Sequence, residues 1–199
     1  MHLQVLIEAC DTTMNIFRLH DDPTVSAEMM CDKHVVKMVT EYGQLLSTAH
    51  RILDGEQYLD RTKNGSKIKR WRLVEDARER LLYKASHVNH PSNIWCREND
   101  KNYRWLYKHF KACAKEYEYR YGRVHKTYDD LSSMLWLAPK NIKQTAYESV
   151  MPQCMPDECK KDNVVEGYRN YYLIEKQYFA KWTRRETPTW FKPSKTALL

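Results

Sequence analysis

The segment from Cys31 to Arg51 constrains the fold more than any other stretch, because it has the pattern of one long amphipathic helix. Its apolar side chains recur at three- and four-residue steps, which brings them to one side of a helix, from which they can pack inward. A second side carries an imidazole, an ammonium and a carboxylate. The apolar side holds Val35, Val39, Tyr42 and Leu46, and the polar side holds His34, Lys37, Glu41, Gln44 and Thr48.

The polar side of this helix has two interpretations. A carboxylate, an imidazole and an ammonium flanked by apolar side chains suit acid–base chemistry in a cleft. The same spacing also fits an ordinary surface helix, since Lys37 and Glu41 lie one turn apart and can pair there. Spacing alone favours the ordinary pair, because structural ion pairs outnumber active sites.

Composition predicts a mostly α, compact single-domain fold with long irregular loops. The 199 residues are enough for one core, and 42% apolar with 30% charged residues is typical of a globular chain. Only five glycines are present, and strand-like alternation is scarce. We assign residues 1–13 to an N-terminal extension and 14–199 to one helical domain. Met14–Leu19 is interpreted either as a short strand or as a packed first segment.

The chain is basic, with a formal net charge of +7 and a pI near 9.0. Such a surface attracts polyanions, and nucleic acid is the commonest of these. No apolar run approaches the ~20 residues that cross a membrane, and the first ten residues do not have the pattern of a signal peptide. We therefore expect a monomer with DNA as its partner and no membrane, located in the cytoplasm, or in the host cytoplasm if the chain is viral.

Six cysteines are present, none of them in a CxxC pair. Cys154 and Cys159 lie five residues apart, with no histidine at ligand spacing, so reduced thiols are favoured over a zinc site. We predict neither a metal nor a cofactor. Phosphate-binding glycine loops and nucleophile elbows are missing as well, which argues against kinases, P-loop and dinucleotide enzymes and α/β hydrolases.

Turn and capping residues divide the rest of the chain. Asp22 and Pro23 predict a helix start, and that helix is expected to run to about Leu53, either unbroken or with one break, and to stop at Gly55. Residues 54–70 are polar and basic with an Asn-Gly turn signal, which indicates a loop or poorly ordered insertion. Its role is either a solvated connector or an arm that contacts phosphates.

Three further helices are expected downstream. A short charged helix is predicted for Trp71–Lys84, and a long aromatic one for about Ile94–Tyr121, capped by Ser92 or Asn93 and ended by Gly122. Residues 123–163 are expected to be irregular, with a helical turn near 130–137. Val164–Arg184 returns to a helical pattern.

Three motifs in order carry a family resemblance. Glu41 follows Asp32-x-His34 seven residues beyond the histidine, His90 heads the aromatic helix, and Pro188-Thr189-Trp190-Phe191-Lys192 lies near the C-terminus. This arrangement resembles the pyrimidine-dimer DNA glycosylases of the phage endonuclease V type, from Met14 onward. The similarity is thin between the motifs, and this chain carries insertions at 54–70 and 123–163.

The resemblance implies a chemistry and a set of roles. It implies cleavage of a base–sugar bond in DNA, followed in that family by strand cleavage through a Schiff base. Glu41 takes the position of the catalytic carboxylate, which would stabilise positive charge on the sugar. His34 and Lys37 would set its pKa or bind a flanking phosphate. The residues assigned to DNA contact are Arg51, Lys67, Lys69, Arg70, His90, Trp190, Phe191 and Lys192.

Two of these roles have a structural alternative. Trp190 and Phe191 can stack on an exposed base or wedge into a kinked step. Trp190 can equally anchor the tail onto the core. For His34 the alternative is a helix residue that is hydrogen-bonded to backbone.

The chain departs from the family at its amino terminus. The family's nucleophile is the α-amine just after the initiator, but thirteen residues precede Met14 here. Either translation begins at Met14, or the distant amine folds back, or the covalent step is lost. Lys33 or Lys37 could replace the amine if burial lowered its pKa. Otherwise the enzyme is monofunctional, with Glu41 activating water.

Two other functions stay open at this point. One is an N-glycosidase for free nucleotides, with the two insertions closing a smaller pocket over the same carboxylate. The other is a non-enzymatic, basic nucleic-acid-binding viral protein, which would bind tightly without any chemistry.

Overall fold

The computed structural model describes residues 14–192 of the chain, and the expected extension at 1–13 lies outside this part. Its regular structure is mostly helical, which confirms the predicted fold class. One 3₁₀ turn, Asp157–Cys159, and one π turn, Tyr172–Lys176, are also present. The elements are α1 Pro23–Glu28, α2 Asp32–Asp54, β1 Glu56–Arg61, β2 Lys67–Arg72, α3 Asp76–Leu81, α4 Pro91–Glu98, α5 Asp100–Tyr121, α6 Lys126–Leu135 and α7 Val164–Tyr171.

Helix α2 is the centre of the fold. It packs against α4, α5 and α6, and all four predicted apolar-side residues are buried. The expected helix start is confirmed, since Asp22 Oδ1 accepts from the backbone N–H groups of Thr24 and Val25. The chain breaks once, between α1 and α2, and Gly55 ends α2 as predicted. Local signals therefore placed this helix correctly.

The first described residues form no strand, although Met14–Leu19 was interpreted as one alternative. Their backbone donors go to side chains instead of to a neighbouring strand. Phe17 N–H donates to Tyr42 Oη at 3.2 Å, and Leu19 N–H donates to Ser26 Oγ at 2.9 Å. The segment is the packed alternative, because most of it is buried against the helical core.

The long aromatic helix is two helices, α4 and α5, separated at Asn99. Asn99 Oδ1 accepts from the N–H groups of Lys101 and Asn102, so its side chain starts a new helix. The predicted caps of α4 are wrong, because the acceptor is His90 Nδ1, which receives Ser92 N–H at 3.2 Å. Gly122 ends α5 with a φ of 69°, as expected for a glycine cap.

Residues 54–70 belong largely to a β-hairpin rather than to a loop. Strands β1 and β2 pair antiparallel, with Tyr58 opposite Arg70 and Arg61 opposite Lys67. Gly65 supplies the left-handed turn residue, with a φ of 80°. Because β2 continues through Arg72, α3 is shorter than the helix predicted for that region.

Residues 123–163 are irregular only in part, because α6 is a ten-residue helix where one helical turn near 130–137 was expected. Apart from the 3₁₀ turn, the chain between α6 and α7 is irregular, and it is fastened to α5. Asp100 Oδ1 accepts Thr145 N–H, and Asn102 Oδ1 accepts Ser149 N–H, both at 3.0 Å. The last helix is shorter than predicted. It passes into a π turn at Tyr172, which is fully buried.

Arg51 is a buried structural hub, which corrects its assignment to DNA. Its side chain is 3% exposed. It donates hydrogen bonds to two separate segments of the chain. Nε donates to Tyr83 O at 2.6 Å, Nη1 to Trp71 O at 3.0 Å and Nη2 to Leu82 O at 2.7 Å. Glu79 Oε2 lies 2.6 Å from Nη1. With its donors used in this way, Arg51 has no free face for a phosphate.

Replacing Arg51 tests this assignment. Arg51→Met should lower the free energy of unfolding by about 3 kcal/mol, because three carbonyls and Glu79 lose their donor inside the fold. Arg80→Met is the control, since the Arg80 side chain is 74% exposed, and it should change stability by less than about 0.5 kcal/mol. Urea denaturation measures both. Unchanged stability together with weakened DNA binding would restore the original assignment.

Candidate functional site

Glu41 lies in the middle of α2 with a largely covered side chain. The side chain is 14% exposed, and its Oε1 is 3.2 Å from Lys37 Nζ. The other oxygen, Oε2, is buried and has no hydrogen-bond partner among residues 14–192. Buried polar atoms are almost always paired, so an unpaired carboxylate oxygen is a feature to explain. The predicted Lys37–Glu41 pair is present, but it satisfies only half of the carboxylate.

Burial raises the pKa of Glu41 above its ordinary value. The Lys37 ammonium opposes this shift, and smaller lowering effects come from the Asn15 backbone N–H and from His87. A carboxyl group that is desolvated and faces a specific cation is typical of acid–base sites.

Asn15 is the residue that the first described segment brings to Glu41. Its backbone N–H lies beside the carboxylate. Its side chain is fully engaged: Nδ2 donates to Cys154 O at 2.8 Å, and Oδ1 accepts from Tyr168 Oη at 2.8 Å. Asn15 is 2% exposed. These bonds hold the backbone nitrogen in one place, and the sequence analysis did not identify this contact.

A loop at residues 86–90 lies over the same side of α2. Thr48 is two turns beyond Glu41, and its Oγ1 accepts Ser86 N–H at 3.2 Å. Asn93 Nδ2 donates to Ser86 O at 2.9 Å. These bonds clamp the start of the loop to the helix side that carries Glu41.

His87 follows the clamp and is strained. Its φ is 48°, which is uncommon for a residue with a side chain and is a conformation that clusters at functional sites. His87 also contributes to the electrostatics of Glu41 and of His90. Sequence reasoning missed it, because nothing in the local pattern distinguishes His87 from the other loop residues.

His90 lies in the same loop, as the motif implied, but one ring nitrogen has a structural task. Its Nδ1 caps α4, and burial lowers the pKa of the ring below its usual value. Two residues after His90, Ser92 Oγ lies 3.4 Å from Cys154 Sγ. His90 is therefore near the site and partly committed to the fold.

His34 does not join the site, which corrects its catalytic assignment. It is 2% exposed and stacks on Phe17 with ring centroids 4.1 Å apart. Its Nδ1 lies 2.5 Å from Tyr172 Oη. A ring enclosed in this way cannot reach a DNA phosphate, so His34 is a core residue.

The two candidate lysines, Lys33 and Lys37, contact different parts of the structure. Lys37 pairs with Glu41, while Lys33 Nζ lies 4.5 Å above the ring of Phe179. The structure thus brings Lys37 to the carboxylate and directs Lys33 towards the C-terminal aromatic residues.

The C-terminal motif anchors the tail to the core. Trp190 is half-buried, packs edge-on against Tyr172 and donates through Nε1 to Met29 Sδ at 3.4 Å. Phe191 is 8% exposed against Trp182, so its assignment as a base contact is corrected. Lys192 is exposed and is the last described residue. The contacts of Trp190 are therefore those of a residue that anchors the tail onto the core.

The predicted basic contacts on the hairpin divide between its two faces. Lys67 and Lys69 are exposed on one face. Arg70 lies on the opposite face, with its Nε 3.9 Å from Asp60 Oδ2. Only the first two are displayed to solvent as a pair.

Comparisons with protein-family models, with curated proteins and with solved structures found no match to the chain. Five cysteines of the described part, at 31, 96, 113, 154 and 159, have free thiols. Among residues 14–192, no three His, Cys, Asp or Glu side chains are grouped as metal ligands would be. No helix in this part of the chain is long and apolar enough to cross a membrane.

The covered carboxylate predicts a stability change that depends on pH. Because the pKa of Glu41 is raised in the folded state, folding binds a proton between the unfolded and folded pKa values, and stability falls as pH rises through that window. Glu41→Gln should therefore raise Tm relative to the parent chain at pH 7. The gain should disappear below the ordinary glutamate pKa of about 4.3.

Thermal unfolding at several pH values checks this prediction. Glu118→Gln is the matched control, since Glu118 is exposed on α5, and it should leave Tm unchanged. A Glu41→Gln variant that is less stable than the parent at pH 7 would contradict the raised pKa.

Proposed function

We propose that the chain is a DNA glycosylase that removes a damaged or modified base from duplex DNA, with Glu41 as its catalytic carboxylate. The observation that carries the proposal is the half-satisfied, desolvated carboxylate beside Lys37 and Asn15. The order of the motifs around Asp32, Glu41 and the C-terminal segment supports it, as does the basic charge.

The geometry of Glu41 suits the chemistry of base removal. Breaking the base–sugar bond leaves positive charge on the sugar, and an ionised carboxylate close by stabilises that charge. Desolvation makes this interaction stronger than it would be in water. Oε2 is buried, so the exposed part of the Glu41 side chain, 14% of its surface, is where the carboxylate would meet the sugar or an attacking water.

The position of Asn15 bears on whether a covalent step would accompany base removal. An amine at this nitrogen would lie beside Glu41, where the resemblance puts the family's nucleophile. Within a chain that continues to residue 14, the same nitrogen is an amide and cannot form an imine. We therefore infer that the full chain releases the base through water activated by Glu41. The lyase step would require a chain that begins at Asn15.

Replacing Glu41 tests the glycosylase activity. Glu41→Gln should lower the rate of base release from irradiated or chemically modified duplexes by about 100-fold or more, because the variant cannot stabilise the sugar cation. DNA affinity should stay within a few-fold of the parent. Chromatographic detection of the free base and equilibrium binding measure the two quantities.

Glu118→Gln again serves as the control and should retain the parent rate. Equal rates for Glu41→Gln and the parent chain would refute the proposed role. Turnover of mononucleotides that matches or exceeds that of the duplex would favour a nucleotide N-glycosidase instead.

Borohydride trapping on damaged duplex tests the inference about Asn15. A chain released with residue 15 at its amino terminus should form a covalent adduct, and mass spectrometry should map the adduct to the Asn15 amine, since only that form has a primary amine beside Glu41. The full chain should form no adduct. An adduct of the full chain at Lys37 would identify a lysine nucleophile and contradict the inference.

A further inference from the structure

The β1–β2 hairpin holds more than half of the net positive charge of the chain in a small fraction of its length. Residues 56–72 contain six basic and two acidic side chains, a net charge of +4 out of the chain's +7. No residue of either strand is buried. A two-stranded hairpin without buried side chains is marginally stable and adds nothing to the core. The basic sequence of the hairpin is therefore explained better by binding to another molecule than by a contribution to the stability of the fold.

The charge is sorted between the two faces of the hairpin. The strand register and the alternation of side chains put both acidic residues, Glu56 and Asp60, on one face. The other face carries Arg61 directly opposite Lys67, and Lys69 opposite Leu59. Like charges placed opposite each other destabilise a strand pair. A polyanion that lies across this face would remove that repulsion.

We propose that this basic face, formed by Arg61, Lys67 and Lys69, is a duplex anchor that binds the phosphate backbone of DNA at a distance from Glu41. The proposal rests on duplex DNA being the substrate. The three side chains are exposed, and those of Lys67 and Lys69 project in the same direction about 6.8 Å apart along β2. Leu59 and the half-buried Trp71 are the apolar side chains of this face, against three cations, so the face fits a row of phosphates better than a lipid surface.

The position of the hairpin at the end of α2 sets the distance between the anchor and Glu41. Gly55 leads into β1 fourteen residues after Glu41, which is about 21 Å along a helix. The base of the hairpin is fastened to α2 by Arg51, which donates to Trp71 O. A duplex that lies along α2 advances about 3.4 Å per base pair, so the base of the hairpin would lie about six base pairs from the reacting base.

Salt-dependent binding of an undamaged duplex tests the anchor in the full chain. The triple variant Arg61→Gln, Lys67→Gln, Lys69→Gln should reduce the magnitude of the slope of log affinity against log salt by about 2.7, since each neutralised phosphate contributes about 0.9. Affinity at moderate salt should fall about tenfold or more. The matched control is Lys108→Gln, Lys111→Gln, Lys115→Gln on α5, which removes the same charge from three other exposed positions and should leave the slope within about one unit of the parent.

Duplex length supplies a second measurement. When the duplex on the anchor side is shortened below about six base pairs, the slope of the parent chain should fall to that of the hairpin variant. Equal losses in the two triple variants, or no loss in the hairpin variant, would overturn the anchor. Stronger hairpin-dependent binding to RNA or to anionic vesicles than to duplex DNA would also overturn it.

The two proposals fail separately. Hairpin-dependent DNA binding without base release would refute the glycosylase and leave the anchor in place. Base release with unchanged binding by the hairpin variant would refute the anchor alone.

Discussion

The buried, irregular backbone of residues 14–19 is the constraint on which the candidate site depends. A backbone inside a core must find partners for its N–H groups, and here it has no neighbouring strand to supply them. Tyr42, Ser26 and the side chain of Asn15 supply the acceptors. These acceptors come from α1, from α2 and from the segment itself. Together they hold the backbone of this segment in one position. The nitrogen of Asn15 is thereby held beside Glu41.

Two features at and around Glu41 are unfavourable for the stability of the fold. Its carboxylate is desolvated with one oxygen unpaired, and His87 close by adopts a conformation that is unfavourable for a side-chain-bearing residue. Surrounding bonds hold both features, since Thr48 and Asn93 fix Ser86 immediately before His87. Natural proteins concentrate such unfavourable features where function needs them. The occurrence of both features side by side supports the proposal that the region is a site rather than an ordinary helix surface.

The sequence predicted those features that depend on neighbouring residues. The cap at Asp22, the extent of α2 and the end of α5 at Gly122 follow from local chemistry. The hairpin could have been found as well, since an Asn-Gly pair between two short runs is a hairpin signal, but the high charge of those runs hid their alternation. The break at Asn99 was missed because the aromatic periodicity continues across it.

The errors in the site had a different cause. Arg51, His34 and Phe191 are residue types that bind DNA in many proteins, but here residues 20 to 138 positions away, or packed aromatic rings, enclose them. A single sequence does not reveal such distant partners. Asn15 and His87 were missed for the same reason, because each acquires its position from contacts with other segments.

In the proposed function, helix α2 would separate two tasks along one rigid element. The carboxylate lies in its middle, with apolar packing on one side of the helix and the loop at 86–90 bonded to the other. The hairpin begins at its end, where the chain reaches solvent and carries its charge without desolvation cost. Arg51 makes this arrangement rigid, because it binds β2 and the segment before α4 to the last turns of α2. Under the proposed function, a residue first interpreted as a DNA contact would serve DNA binding indirectly, by fixing the distance between the basic hairpin and the carboxylate. A flexible connection would leave both groups in place but would let the anchored duplex move relative to Glu41, and orientation is a large part of what a catalytic site contributes.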